Sequence, residues 1–162
     1  MCSDKYDQNF LKSKCVKIEN FLTQAENQKI IESVIKLEAY FEKSTTSLGS
    51  NDPDFRISKL LHLAPISKAR ISSRIRLVLP QVLAKLGHQE FPIAQIEAQV
   101  TAHNHGHYYQ THNDNGRPNI AKREITYVYY FYQQPQQFSG GELVLYDEKI
   151  DNNYLKPANS FK

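Results

Sequence analysis

The sequence predicts an α+β fold in one continuous domain, with helices before residue 90 and strands after it. Apolar residues recur at steps of three and four in two segments of the first half, and at steps of two in the second half. Helices followed by strands are typical of folds in which the helices pack against an antiparallel sheet or barrel. We therefore assign residues 1–90 to a helical support region and residues 91–162 to a β-rich core.

The two predicted helices cover residues 23–43 and 67–86. Thr23 and Glu26 have the spacing of a capping box, in which each side chain satisfies a free amide at the helix start. In the second helix, Pro80 should cause a kink or a split, because proline has no amide hydrogen to donate. The residues that give the first helix its apolar face are Ile30, Val34, Leu37 and Phe41.

Four extended segments are predicted after Gly87. Apolar and polar residues alternate in the first, as they do in a half-buried strand. The third (EITYVYYFYQ) is rich in β-branched and aromatic residues on both faces, and the fourth follows a Gly-Gly pair. The predicted strands are residues 94–103, 108–112, 124–133 and 142–146.

Charge and composition exclude several classes of protein. The formal net charge is +3, from 20 Lys and Arg against 17 Asp and Glu, without the dense basic run of a nucleic-acid or membrane-surface binder. Residues 1–20 lack the apolar core of a signal peptide, and the chain lacks an apolar stretch long enough for a membrane span. The two cysteines, Cys2 and Cys15, are too few for a disulfide scaffold. We expect a cytoplasmic protein with neither a nucleic-acid nor a membrane partner.

His112 and Asp114 are the candidate metal ligands. Residues two apart on an extended backbone face the same side, so an imidazole and a carboxylate can bind one ion together. Histidine and carboxylate make up the facial triad of non-haem Fe(II) oxygenases, which uses two histidines and one carboxylate. The same pair also fits a surface histidine before a turn, because residues 113–116 have turn composition. The spacing alone leaves both interpretations open.

Two further motifs follow this pair in order. The first is R-x-x-T-x-x-Y-Y, which starts at Arg123, and the second is F-x-G-G-E-L, which starts at Phe138. Together with H-x-D, they resemble the prolyl 4-hydroxylase-like family of Fe(II)/2-oxoglutarate dioxygenases. The resemblance covers nearly the whole chain, and residues 98–146 carry most of its specificity.

The resemblance implies roles for individual residues. His112 and Asp114 would be the first two iron ligands. Tyr130 would hydrogen-bond the carboxylate of 2-oxoglutarate, and Leu143 would line the same site. His103 stands where many relatives have a tyrosine that lines the co-substrate pocket.

The resemblance also implies a fold and an activity. The core would be a double-stranded β-helix, the jelly-roll barrel that cupins share, with the N-terminal helices packed on it. The activity would be hydroxylation of an unactivated C–H bond with Fe(II), 2-oxoglutarate and O2, and with ascorbate as reductant. The substrate would be a prolyl or other protein side chain, or a small molecule.

The sequence departs from the family pattern after the second motif. The family has a distal histidine as third iron ligand, followed by a basic residue that pairs with 2-oxoglutarate. We expect the chain to be C-terminally incomplete, to lack the last strands of the barrel and to turn over little or no 2-oxoglutarate. The six histidines of the sequence are at positions 62, 88, 103, 105, 107 and 112.

Two alternatives remain open at this stage. One is a cupin-like metal site built from a histidine cluster, although Gly106 in the middle of that cluster favours a turn that would separate the imidazoles. The other is an inactive or truncated member of the family that acts as a binding or interaction domain. The histidines of the cluster are His103, His105, His107 and His112.

Overall fold

Helices and antiparallel strands together confirm the predicted α+β class. The chain forms two compact units. The first consists of Met1–Glu19, Leu79–Glu90 and Gln137–Lys162, and the second of Asn20–Val78 and Phe91–Gln136. The structure is a computed structural model, and it describes residues 10–44, 52–62, 65–115, 118, 120–149 and 155–161.

The elements of the described residues are mostly short. Their order along the chain is β1 (Phe10–Leu11), α1 (Gln24–Lys36), a 3₁₀ turn (Glu38–Tyr40), β2 (Glu42–Lys43), β3 (Arg56–Ile57), β4 (Lys59–His62), α2 (Pro65–Leu86), β5 (Gln99–Ala102), β6 (Tyr108–Tyr109), β7 (Leu143–Lys149) and β8 (Leu155–Phe161).

Helix α1 begins with the predicted capping box. The Thr23 hydroxyl accepts a hydrogen bond from the Glu26 amide at 3.2 Å, and the Glu26 carboxylate accepts one from the Thr23 amide at 2.9 Å. The helix ends earlier than predicted, at Lys36, because the residues that follow form the 3₁₀ turn and then pair with β4. A residue in a strand ladder cannot also continue the helix.

Helix α2 continues through Pro80, so the predicted split does not occur. Its Arg74 side chain binds the Glu26 carboxylate at 3.2 Å, which connects α2 to the start of α1. Among the described residues, no helix combines the length and the apolar character needed to cross a bilayer.

Two small sheets belong to the second unit. In one, β4 lies between β2 and β5, and in the other β3 pairs with β6; all of these pairs are antiparallel. Strand β5 is the end of the predicted strand 94–103, and β6 is the start of the predicted strand 108–112. The sequence pattern did not indicate β2, β3 and β4, which are two to four residues long.

The prediction of a strand over residues 124–133 is wrong. None of the described ladders includes these residues. Tyr129 and Phe131 pack instead against the buried core of the second unit, with their ring centroids 5.9 Å apart. That core consists of Leu22, Ile30 and Ile71, surrounded by Phe21, Val34 and Ile75.

The first unit contains an antiparallel sheet in the order β1-β7-β8. The predicted strand 142–146 is confirmed by β7, which extends three residues further. Gly140 and Gly141 precede it with φ of +81° each, a conformation in which a side chain would be strained. The β7–β8 register shifts next to Pro157, which has no amide hydrogen for the ladder.

Candidate metal centre

The β3–β6 ladder holds the start of the loop that carries the H-x-D pair. In this ladder Arg56 lies opposite Tyr109. One residue further on, the Gln110 amide donates a hydrogen bond to the Phe55 carbonyl at 2.9 Å. The backbone is therefore fixed up to two residues before His112.

The hydrogen bonds of the His112 ring define its tautomer. Nδ1 lies 2.7 Å from the carbonyl oxygen of Gln110. A carbonyl oxygen only accepts, so Nδ1 carries a hydrogen and donates it. The other ring nitrogen, Nε2, lies 3.3 Å from Oδ1 of Asp114. The imidazole thus presents Nε2 to the carboxylate.

This arrangement favours a positive charge at Nε2 of His112, either a proton or a metal ion. With Nδ1 protonated, a neutral His112 would point the lone pair of Nε2 at the negatively charged oxygen of Asp114. A proton on Nε2 removes that repulsion, and so does a metal ion bound to both atoms. Two neighbouring ligands about 2.1 Å from an octahedral divalent ion lie about 3 Å apart. The observed 3.3 Å separation therefore fits a shared metal ion.

The two pKa values shift in opposite directions. Burial lowers the pKa of His112, but the hydrogen bonds to Asp114 and to the Gln110 carbonyl outweigh it, so the pKa is raised above 6.5. The hydrogen bond from His112 lowers the pKa of Asp114, against the effect of burial, and a side-chain hydrogen bond with Thr126 and the charge of Arg123 lower it further. Both shifts favour the charged pair.

Aromatic rings surround the imidazole. The ring of Tyr109 stacks on His112 with 3.6 Å between centroids and 21° between planes, and Phe55 meets it edge-on at 6.2 Å. The Arg56 guanidinium lies 4.5 Å from the centre of the Tyr109 ring. Phe55 and Arg56 were not among the predicted site residues, because they lie more than fifty residues before His112 and no sequence pattern indicated a contact with it.

Arg123 anchors the loop of Asp114. Its guanidinium donates a hydrogen bond to the Asp114 carbonyl at 3.4 Å and also forms an ion pair with Glu97. The Tyr127 hydroxyl donates to the Glu97 carbonyl at 2.8 Å. The R-x-x-T motif therefore supports the H-x-D loop through both of its named residues, Arg123 and Thr126.

Tyr130 lies on the exposed side of its segment. Tyr129 and Phe131 pack on the core, whereas the side chains of Val128 and Tyr130 are 54% and 40% exposed. Partial burial raises the pKa of the Tyr130 phenol. Tyr130 is thus free of the core contacts of its neighbours, and its hydrogen bond to 2-oxoglutarate stays a prediction.

The structure places His103 and Leu143 in different units. Burial, the charge of Arg56 and the nearby His107 lower the pKa of His103. Arg56 also acts on the charge of His112. His103 is therefore linked to the H-x-D region through Arg56, whereas the co-substrate roles of His103 and Leu143 stay predictions.

The described residues do not assemble the alternative histidine site. Within the described ranges, no three His, Cys, Asp or Glu side chains come together as a possible metal site. Gly106 has a φ of +73° and forms a turn within the histidine cluster, as predicted. Nδ1 of His107 is buried and has no hydrogen-bond partner. His112 and Asp114 are thus the pair with the geometry of shared ligands.

Two comparisons with known proteins agree with this geometry. The model of the 2OG-Fe(II) oxygenase superfamily matches residues 98–160, the part of the chain that includes the H-x-D pair. An uncharacterized PKHD-type hydroxylase of Synechocystis sp. is 45% identical over 156 residues, which are 94% of this chain. No solved structure gives a significant match.

The chain spans half the length of this relative, 50% of its residues. The matched region nevertheless includes the H-x-D loop together with both motifs that follow it. The spacing of these motifs, the facing of His112 and Asp114, and the two matches lead to one conclusion. They support a prolyl 4-hydroxylase-like 2OG-Fe(II) oxygenase family for this chain.

Proposed function

We propose that this chain is the iron-binding part of an Fe(II)/2-oxoglutarate-dependent dioxygenase that hydroxylates an unactivated C–H bond. One observation carries the proposal: Nε2 of His112 faces Oδ1 of Asp114 at 3.3 Å, while Nδ1 is held by a carbonyl. Such an arrangement suits two neighbouring ligands of one divalent ion.

In this proposal the chain's own residues bind the metal ion and orient the side chains that hold it. His112 gives up the proton on Nε2 when the metal binds, and the hydrogen bond of Nδ1 to Gln110 keeps the ring in place. Thr126 and Arg123 keep Asp114 ionised and its loop fixed. When bound, Fe(II) with 2-oxoglutarate and O2 supplies the oxidising chemistry.

The co-substrate site is proposed to include Tyr130 and His103. The exposed phenol of Tyr130 supports this role, since its neighbours Tyr129 and Phe131 are taken up by the core. The substrate is proposed to be a prolyl or other side chain of a protein or peptide, or a small molecule. The family match and the word hydroxylase in the relative's name support this class of reaction.

The proposal also includes the barrel fold, the location and the reductant that we expected from the sequence. We propose a double-stranded β-helix formed mainly by residues 91–162 and supported by residues 1–90, a cytoplasmic location, and ascorbate as reductant. The Gly-Gly turn into β7 supports the barrel, since family members enter a barrel strand in this way. A non-catalytic binding domain is the second candidate, because among the described residues no group of three possible metal ligands comes together.

Anaerobic titration with Mn(II) or Fe(II) tests the proposal. The wild-type chain should bind one equivalent, and His112→Ala and Asp114→Ala should abolish that binding. His105→Ala is the matched control, because it removes an exposed histidine from the same cluster. Binding that survives Asp114→Ala and is lost in His105→Ala would contradict the proposal and favour the histidine-cluster site.

A further inference from the structure

The His112 imidazole has two independent restraints. The hydrogen bond from Nδ1 to the Gln110 carbonyl fixes one atom of the ring. That bond alone leaves the ring able to tilt about Nδ1, which would move Nε2 away from Asp114. The Tyr109 ring lies 3.6 Å from the imidazole centroid at an angle of 21°, so it blocks tilting toward its own face.

Tyr109 is itself held on more than one side. Its backbone lies in β6, opposite Arg56 of β3. The Phe55 ring meets it edge-on at 5.4 Å between centroids, and the Arg56 guanidinium lies 4.5 Å from its centre. The segment before β3 therefore contributes to the position of a ring that contacts His112.

Burial does not explain this stack. Tyr109 remains 39% exposed, and it is not among the residues that form or cover the buried core of the second unit. A residue that served only to fill the core would be placed as Tyr129 and Phe131 are. Core packing is thus not the reason why Tyr109 contacts a candidate metal ligand.

We propose that Tyr109 is a positioning residue for metal binding, which keeps the imidazole of His112 in the plane that aims Nε2 at the ion shared with Asp114. The inference rests on the proposed function, because it assumes that this pair binds a metal. Arg56 of β3 and Phe55 immediately before it hold the Tyr109 ring. Groups that orient metal-ligating histidines typically change metal affinity by 10- to 100-fold.

The test compares three variants of the whole chain in Mn(II) titrations followed by electron paramagnetic resonance. Tyr109→Phe keeps the stacked ring and should change the Mn(II) dissociation constant less than about twofold. Tyr109→Leu removes the ring and should weaken binding by about tenfold. Tyr108→Phe in the same strand is the matched control. It removes only the Tyr108 hydroxyl, which donates a hydrogen bond to the Pro53 carbonyl at 2.6 Å.

A second measurement separates positioning from folding. In metal-free protein, the ring protons of His112 should show an upfield ring-current shift in the NMR spectrum that persists in Tyr109→Phe and disappears in Tyr109→Leu. If Tyr109→Leu does not fold, Tyr109→Met takes its place. Thermal unfolding in the presence of a chelator gives the stability of each variant.

The outcomes distinguish the two proposals. Wild-type chain that binds no Mn(II) would overturn the proposed function and this inference with it. Wild-type binding with an unchanged dissociation constant in Tyr109→Leu would overturn the inference alone. A loss of affinity in Tyr108→Phe equal to that in Tyr109→Leu would also overturn it, since strand integrity would then be the cause.

Discussion

The Thr126 side chain, twelve residues further along the chain, lowers the pKa of Asp114 as a hydrogen-bonding neighbour of its carboxylate. It connects the R-x-x-T motif directly to the H-x-D pair. From the same motif, Arg123 holds the Asp114 carbonyl. Two short motifs, each weak alone, are therefore parts of one structure around a single carboxylate, which explains why they occur together at this spacing.

Loss of the Thr126 hydroxyl should weaken metal binding without removing a ligand. Thr126→Val keeps the shape of the side chain, but it deprives the Asp114 carboxylate of a hydrogen bond and so raises the pKa of Asp114. Groups that orient metal-ligating carboxylates typically change metal affinity by 10- to 100-fold, so the Mn(II) dissociation constant should rise about tenfold. Thr101→Val in β5 is the control, and an equal effect there would contradict this role.

Metal affinity should depend on pH through His112. A metal ion and a proton compete for Nε2, and the pKa of His112 is raised above 6.5 by its bonds to Asp114 and Gln110, against the effect of burial. Mn(II) binding should therefore strengthen as pH rises from below 6.5 to above the raised pKa, and then become constant. In Asp114→Asn the midpoint of any remaining pH dependence should move down. A midpoint that stays in place would contradict the pairing.

In the metal-free chain, the stabilisation by the His112–Asp114 pair should decrease as pH rises, whereas metal affinity increases. A group whose pKa is higher in the folded than in the unfolded chain stabilises fully below its unfolded value, here about 6.5, and this contribution is lost as pH rises through the folded value. In a chelator, the wild-type chain should lose unfolding free energy over that range relative to His112→Gln. Parallel stability curves would show that the raised pKa is absent.

Glu26 should govern stability at low pH. Hydrogen bonds to the Thr23 amide and hydroxyl, aided by the charge of Arg74, lower its pKa from 4.5 to about 2. This stabilisation is present above pH 4.5 and is lost as pH falls towards 2. Glu26→Gln should therefore lower Tm at neutral pH, and the difference from wild type should shrink over that range. Glu32→Gln on the same helix is the control; if it lowers Tm equally, the capping role is wrong.

The parts of the structure that the sequence predicted are those with local causes. The capping box needs only Thr23 and Glu26, and the facing of His112 and Asp114 involves only residues two apart in sequence. The contact of Phe55 with the Tyr109 ring depends on strand pairing between distant segments, which no local pattern encodes. The strand prediction for residues 124–133 was wrong because aromatic side chains are buried equally well by helices. Here Tyr129 and Phe131 pack on a core that includes Ile30 of α1 and Ile71 of α2.

The final prediction concerns turnover by the 162-residue polypeptide. Facial coordination uses three protein ligands, and within the described residues no three His, Cys, Asp or Glu side chains come together around His112 and Asp114. The sequence has no histidine after His112, so no downstream imidazole is available to this polypeptide as a third ligand. We expect metal binding with little or no conversion of 2-oxoglutarate to succinate in the presence of Fe(II) and ascorbate.

The matched comparison is the same polypeptide extended at its C-terminus by a segment with a histidine and a basic residue, as in the family. Succinate formation should appear in the extended chain and be abolished there by Asp114→Ala. Robust turnover by the unextended chain, also abolished by Asp114→Ala, would show that another group completes the site. Because His112 and Asp114 supply two ligands in both polypeptides, Mn(II) binding should survive in both, and this separates a missing ligand from a misfolded loop.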